Sequence, residues 1–174
     1  PYSPAAGTGL SSHELNQPGT YKNVKDTSAT VIFTLTLKGA NAEHPLMKKL
    51  METLFDNSAD VTKDNGIGIM AWTTTPWTLP SNLGLTVGPN IEYVLIQTLN
   101  PYTHQQNNVI LAKNLAAKYF KEEGENGSFE EYKEGDKIIP WKVIANFKGN
   151  ELEGLQYEQL LPFESNSIEK ILEE

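Results

Sequence analysis

The spacing of hydrophobic and polar positions changes several times along the chain, and each change predicts an element. Ala29 to Leu37 alternates Val31, Phe33, Leu35 and Leu37 against Ile32, Thr34 and Thr36, which predicts a strand with one greasier face. Gly39 and Asn41 break it. Pro45 suits a first helical turn. Leu46, Met47, Leu50, Met51, Leu54 and Phe55 then share one face at helical spacing, with Lys48, Lys49 and Glu52 outward. A Met and Leu stripe of this kind marks core packing. Asp60 to Asn65 reads as a polar turn. In Gly66 to Trp72, Ile67, Ile69 and Ala71 alternate with Gly68, Met70 and Trp72, so both faces are apolar and the strand is expected to be buried on two sides.

Leu83 to Val87 and Asn90 to Thr98 read as further extended segments separated by Gly88-Pro89. Asn100 to Asn108 is expected to be an exposed loop or hairpin tip, with His104 a surface residue. Val109 to Ala112 predicts a short strand, and Lys113 to Glu123 a helix with Leu115, Tyr119 and Phe120 inward. Ile138 to Phe147 reads as an edge or bent strand. Phe147 to Tyr157 predicts a hairpin around Gly149 and Gly154, and the acidic last dozen residues a weak helix or tail. Residues 1–28 lack periodicity and form an irregular lead-in segment, ahead of a domain over 29–174. The Gly-Thr-Gly at Gly7 to Gly9 has no strand-turn-helix context for a phosphate loop. His13 is a solvated or capping residue.

The chemistry concentrates where the central strand ends, at Thr73 to Asn82 (TTTPWTLPSN). Pro76 and Pro80 fix their own φ and push Thr75 and Leu79 toward extended geometry, which predicts a stiff, kinked loop. It carries the hydroxyls of Thr73, Thr74, Thr75, Thr78 and Ser81 and the amide of Asn82, and no charged residue occurs from Asn65 to Ile91. Neutral donors and acceptors in an apolar setting suit orienting a polar ligand better than moving protons. The plainer reading is a rigid turn whose hydroxyls bond neighbouring backbone in a β-rich scaffold.

Composition narrows the classes. A chain of 174 residues is long enough for one domain with a real core, and 39% hydrophobic residues is a globular value. The chain has no cysteine, which excludes disulfides and thiolate metal sites and fits a reducing, cytoplasmic setting. No long apolar run or cleavable leader is visible, so neither a membrane span nor a secretion signal is expected. The net charge of −8, with lysine at every one of the 14 basic positions, argues against a free-standing nucleic-acid binder. The start at Pro1 suggests a fragment.

Thr73 to Asn82 resembles the threonine-rich motif of the editing domain inserted in isoleucyl-tRNA synthetases, and Thr75 and Trp77 point to the isoleucine branch over the leucine and valine ones. Gly7 to Leu15 resembles the lead-in to that domain. Phe147 to Tyr157 resembles another of its recurring segments, through Lys148, Gly149, Glu151, Leu152, Gly154, Leu155 and Tyr157. The resemblance implies a mixed α and β fold, a β-rich barrel-like editing domain with a few short peripheral helices. It implies hydrolysis of valine misattached to the acceptor end of tRNA(Ile), in a parent enzyme that ligates isoleucine with ATP and Mg. Among site residues it implies Thr74 orienting the ester or the attacking water, and Thr73 and Thr75 positioning the terminal ribose. Thr78 and Asn82 would complete the hydrogen-bonding shell, while Trp77 would anchor the loop by packing or stack a base. No cofactor or metal is implied for this domain, and its partners are that tRNA end and the rest of the synthetase. The family pattern also has a later glycine-rich segment with a histidine and an aspartate. None of His13, His44 and His104 lies in such a context, so the chain is expected to stop before the pocket is complete. A non-catalytic module that docks the acceptor end is the alternative.

Overall fold

The computed structural model describes residues 1–56 and 66–161. The polar turn expected over 60–65 and the acidic tail lie outside them. The lead-in carries a two-stranded ribbon, β1 (Tyr2–Ser3) with β2 (Thr8–Gly9), and a one-turn helix α1 (Ser12–Leu15). Glu14 caps that turn by accepting from the Ser11 backbone N–H at 2.7 Å, which holds its carboxyl below the usual range.

The main sheet contains β3 (Ala29–Thr34), β4 (Ile67–Thr73), β5 (Glu92–Leu99), β6 (Gln106–Ala112) and β7 (Trp141–Lys148), in the spatial order β3-β4-β6-β5-β7. β4 and β6 run parallel, and every other neighbouring pair is antiparallel. Two short helices, α2 (Ala40–Glu43) and α3 (Pro45–Asp56), follow β3, and α4 (Ala116–Tyr119) follows β6. The class is therefore mixed and sheet-dominated with a few short peripheral helices. Among the described residues the sheet does not close into a barrel. β3 and β7 lie at opposite edges, and β3 is extended instead by the chain after β7, where Leu35 bridges Tyr157.

Alternation along each strand divides the core in two. Leu46, Met47, Leu50 and Leu54 of α3 cover one sheet face with Ile67, Ile69, Leu95, Ile110 and Phe147. Each such buried side chain contributes about 1.5–3 kcal/mol. On the other face Val94, Ile96, Val109, Leu111 and Trp141 pack against Ile32, Met70, Tyr119 and Phe120. β5 and β6 are thus buried on both sides, and so is the start of β4. Near its end β4 emerges, with Trp72 53% exposed.

Several expectations are corrected. Phe55 is exposed, because the helix stripe is narrower than its six apolar residues. Leu83 to Val87 joins no strand and runs along a groove instead. The helix expected over 113–123 breaks into a 3-10 turn (Lys113–Leu115), α4, and a second 3-10 turn (Glu122–Gly124), which leaves Leu115 exposed. Phe147 to Tyr157 is no hairpin. A 3-10 turn (Gly149–Leu152) leads into a strap that crosses to β3. β7 is an edge strand as expected, bent by a bulge where Leu95 faces Ala145 and Ile96 faces Val143.

Candidate functional site

Thr73 closes β4 opposite Ala29, and the chain turns at Thr74 into a 3-10 helix, Pro76–Ser81, that keeps Pro80 inside it. A 3-10 helix tolerates this because few of its backbone N–H groups need partners. Three hydroxyls hold the turn. Thr73 Oγ1 accepts from the Thr75 backbone N–H at 3.0 Å and lies 3.2 Å from Thr75 Oγ1, which in turn lies 3.4 Å from Thr78 Oγ1. Thr78 Oγ1 donates to the Thr75 carbonyl at 2.8 Å. Thr74 stands apart: its side chain is exposed, and among the described residues its hydroxyl takes no hydrogen bond.

The loop ends at Asn82, which is half-buried and held from both ends. Its Nδ2 donates to the Gly84 carbonyl at 3.2 Å, and its Oδ1 accepts from the Tyr157 hydroxyl. Gln159 Nε2 donates to the Pro80 carbonyl at 3.1 Å. The strap that supplies Tyr157 and Gln159 is clamped by Asn41, fully buried, whose Nδ2 donates to the carbonyls of Thr36 and Gln156 while its Oδ1 accepts from the Gln156 N–H at 2.8 Å.

Two cavities flank this arrangement. A cleft of about 190 Å³ is lined by Val31, Phe33, Thr73, Thr78, Leu79 and Asn82 among others. A groove of about 980 Å³ runs between residues 82–89 and the strap, with Ile69 and Leu85 in its wall. Asn82 and Leu85 line both. Among the described residues the only ionisable ones lining the groove are Glu153 and Tyr157, and burial pushes the Tyr157 hydroxyl up from its ordinary value. Among the described residues charge is therefore scarce here, as the uncharged stretch from 65 to 91 leads one to expect.

Of the six residues singled out from the sequence, the structure brings Thr73, Thr78 and Asn82 to the wall of the cleft. Thr74 and Thr75 are exposed beside it and line neither cavity. Trp77 is 65% exposed, so it does not anchor the loop by packing. His104 is tied to the Tyr132 hydroxyl at 3.1 Å in the turn between β5 and β6. His44 Nε2–H donates to the Glu153 carbonyl, 2.9 Å away. Among the described residues there is no group of three or more His, Cys, Asp or Glu able to hold a metal, and no helix long and apolar enough to cross a membrane.

No family model matches the chain. Isoleucine–tRNA ligase of Cytophaga hutchinsonii is 53% identical over 163 residues, 94% of this chain. That of Bacteroides thetaiotaomicron is 48% identical over the same share, and that of Treponema denticola 40% identical over 95%. The chain is a homologue of one segment of isoleucyl-tRNA synthetases. It spans about 13% of the length of the Cytophaga enzyme and 12% of the Bacteroides one. The crystal structure of GlLeuRS-CP1 overlaps more loosely, at a TM-score of 0.44 and 18% identity over 78% of this chain and 46% of that one, and no residue is carried over from it.

Within this synthetase segment, sequence reasoning missed Asn41, Gln156 and the hydroxyl of Tyr157. Asn41 reads as a strand breaker beside Gly39, and nothing local shows that it reaches residue 156. Tyr157 belongs to the second block of resemblance, so its presence there was the available signal; its meeting with Asn82 is a fact of three dimensions.

Proposed function

We propose that the chain forms the acceptor-end shelf of the editing region of an isoleucyl-tRNA synthetase, where valine misattached to tRNA(Ile) is hydrolysed. The physical need is clear. One missing methylene gives a synthetic pocket only about 1–3 kcal/mol of discrimination, isoleucyl-tRNA synthetase being the standard example of that limit. A second site that destroys the valyl ester makes up the difference.

The observation that carries the reading is the contrast among the threonines. Thr73, Thr75 and Thr78 hold one another, and that leaves Thr74 presenting a hydroxyl to solvent next to a small, uncharged cleft. In the proposed reaction a water oxygen bonds to the ester carbonyl carbon and the bond from that carbon to the ribose oxygen breaks. A water proton ends on the ribose oxygen, releasing valine and intact tRNA. An aminoacyl ester is already activated, so fixed geometry and placed dipoles can supply the catalysis. Thr74 orients the ester or the water. Thr73 and Thr75 position the terminal ribose, Thr78 and Asn82 complete the shell, and the exposed face of Trp77 is available to a base. The ligation of isoleucine with ATP and Mg belongs to other parts of the parent.

The test compares deacylation of valyl-tRNA(Ile) by the full-length parent with and without Thr74→Ala, using aminoacylation as the control. A loss of deacylation alone supports the reading, and equal rates remove Thr74 from the site. A second reading, docking of the acceptor end without turnover, is favoured by the absence of a titratable group on the Thr/Pro loop. Titration of this chain with an acceptor-end mimic separates the two, since binding with no release of amino acid supports docking.

A further inference from the structure

We propose that Tyr157 is a positioning residue for the reaction proposed above, acting through Asn82; the inference rests on that reading. Three independent contacts fix the Tyr157 ring and leave its hydroxyl one task. Its backbone bridges Leu35 beyond the end of β3, and the next residue, Glu158, donates its N–H to the Thr34 carbonyl at 2.8 Å. Its ring packs edge-on against Phe33, with centroids 5.0 Å apart at 69°. One position earlier, Gln156 is bonded through both backbone groups to the buried amide of Asn41. The hydroxyl, so placed, donates to Asn82 Oδ1.

That bond and the one from Asn82 Nδ2 to the Gly84 carbonyl together set which way the Asn82 amide faces. With its oxygen held by Tyr157 and its nitrogen donating to the Gly84 carbonyl, the Asn82 amide is fixed in the wall of the cleft that it lines with Thr73 and Thr78. Without the phenol the amide keeps only its bond to the Gly84 carbonyl, and its oxygen is no longer pinned at the wall of the cleft. Gln159, from the same strap, holds the Pro80 carbonyl, so the strap grips the loop at two points two residues apart. Phe147–Tyr157 therefore serves the site as well as the fold: it presents a hydroxyl to Asn82, the one polar residue that, among those described, lines both cavities.

The experiment uses the full-length synthetase bearing this segment, with Tyr157→Phe, Asn82→Ala and the double variant, assayed for deacylation of valyl-tRNA(Ile) and for aminoacylation. Tyr157→Phe keeps the ring on Phe33 and removes one hydrogen bond, so the expected effect is a fall in deacylation kcat of about tenfold, the equivalent of about 1.4 kcal/mol, with KM changed less than about twofold. Aminoacylation is unchanged. In the Asn82→Ala background Tyr157→Phe causes no further loss, because the group it orients has gone. Additive losses overturn the proposal, as does a Tyr157→Phe enzyme that deacylates normally or fails to fold. If Asn82→Ala and Thr74→Ala are themselves without effect on deacylation, the reading of the site fails; if they lower it and Tyr157→Phe does not, only the present inference fails.

Discussion

The hydroxyl of Tyr157 donates to Oδ1 of Asn82, 75 residues earlier in the chain. This contact joins the two stretches that resemble the same synthetase domain, and it places the end of the Thr/Pro loop on the strap that leaves β7. The loop is thereby held from outside at Asn82 and Pro80 and from inside by its own threonines. A loop fixed this way keeps its hydroxyls in place without burying them.

The threonines divide into structural and available ones, and stability separates them. Thr78→Ala removes the bond to the Thr75 carbonyl and is expected to lower stability by about 1 kcal/mol. Thr74→Ala, at an exposed position with no partner among the described residues, stays within about 0.5 kcal/mol of the parent. Denaturant titration of both variants checks this.

Asn41 is the keystone of the strap. Asn41→Ala orphans the Gln156 N–H and the Thr36 carbonyl and leaves the Gln156 carbonyl to Thr36 alone, and is expected to destabilise by about 1–3 kcal/mol. Asn41→Asp turns a donor into an acceptor facing the Thr36 and Gln156 carbonyls, so the carboxyl titrates higher in the folded than in the unfolded chain. The folded state then binds the proton more tightly, and stability rises as the pH falls through that range. Thermal melts between pH 4 and 8, both about that window, reveal the trend.

Gly149 has no space for a side chain. A Cβ there would run into the Gly88 carbonyl and meet the Tyr93 ring, while its own N–H is committed to the Ile91 carbonyl at 3.0 Å. Backbone cannot yield as a side chain can, and Gly149→Ala is expected to cost about 1–3 kcal/mol. Gly154 is different, a turn glycine at φ +85°. Chemical denaturation of Gly149→Ala is the check.

Burial raises the Tyr157 hydroxyl above its ordinary 10.0, so it remains a donor throughout the neutral range. The folded chain holds that proton more tightly than the unfolded one, and stability therefore declines as the pH rises beyond about 10. Melting temperatures recorded through the alkaline range should show this decline in the parent and a weaker one in Tyr157→Phe.

Much of the architecture was legible because it is written in local periodicity. The alternation in Ala29 to Leu37, the helical stripe after Pro45 and the two-sided apolar run at Ile67 each found their element. What local pattern does not carry is pairing. Barrel closure and the hairpin at Phe147 to Tyr157 depended on which distant segment pairs beside β3, and the strap takes that place; the inward side of Leu115 was lost to a local break of its helix. The Thr/Pro loop was readable from its residue types as a stiff, uncharged turn rich in hydroxyls. The division of labour within it, with Thr74 left over and Asn82 held by Tyr157, depends on hydroxyl directions and a contact across the fold.

The most direct measurement is release of valine from valyl-tRNA(Ile) by the full-length parent carrying Thr74→Ala together with Asn82→Ala. The account predicts that release falls by at least about a hundredfold, in line with loss of transition-state hydrogen bonds, while isoleucine is still attached at the parental rate. Release at the parental rate in the double variant would contradict it.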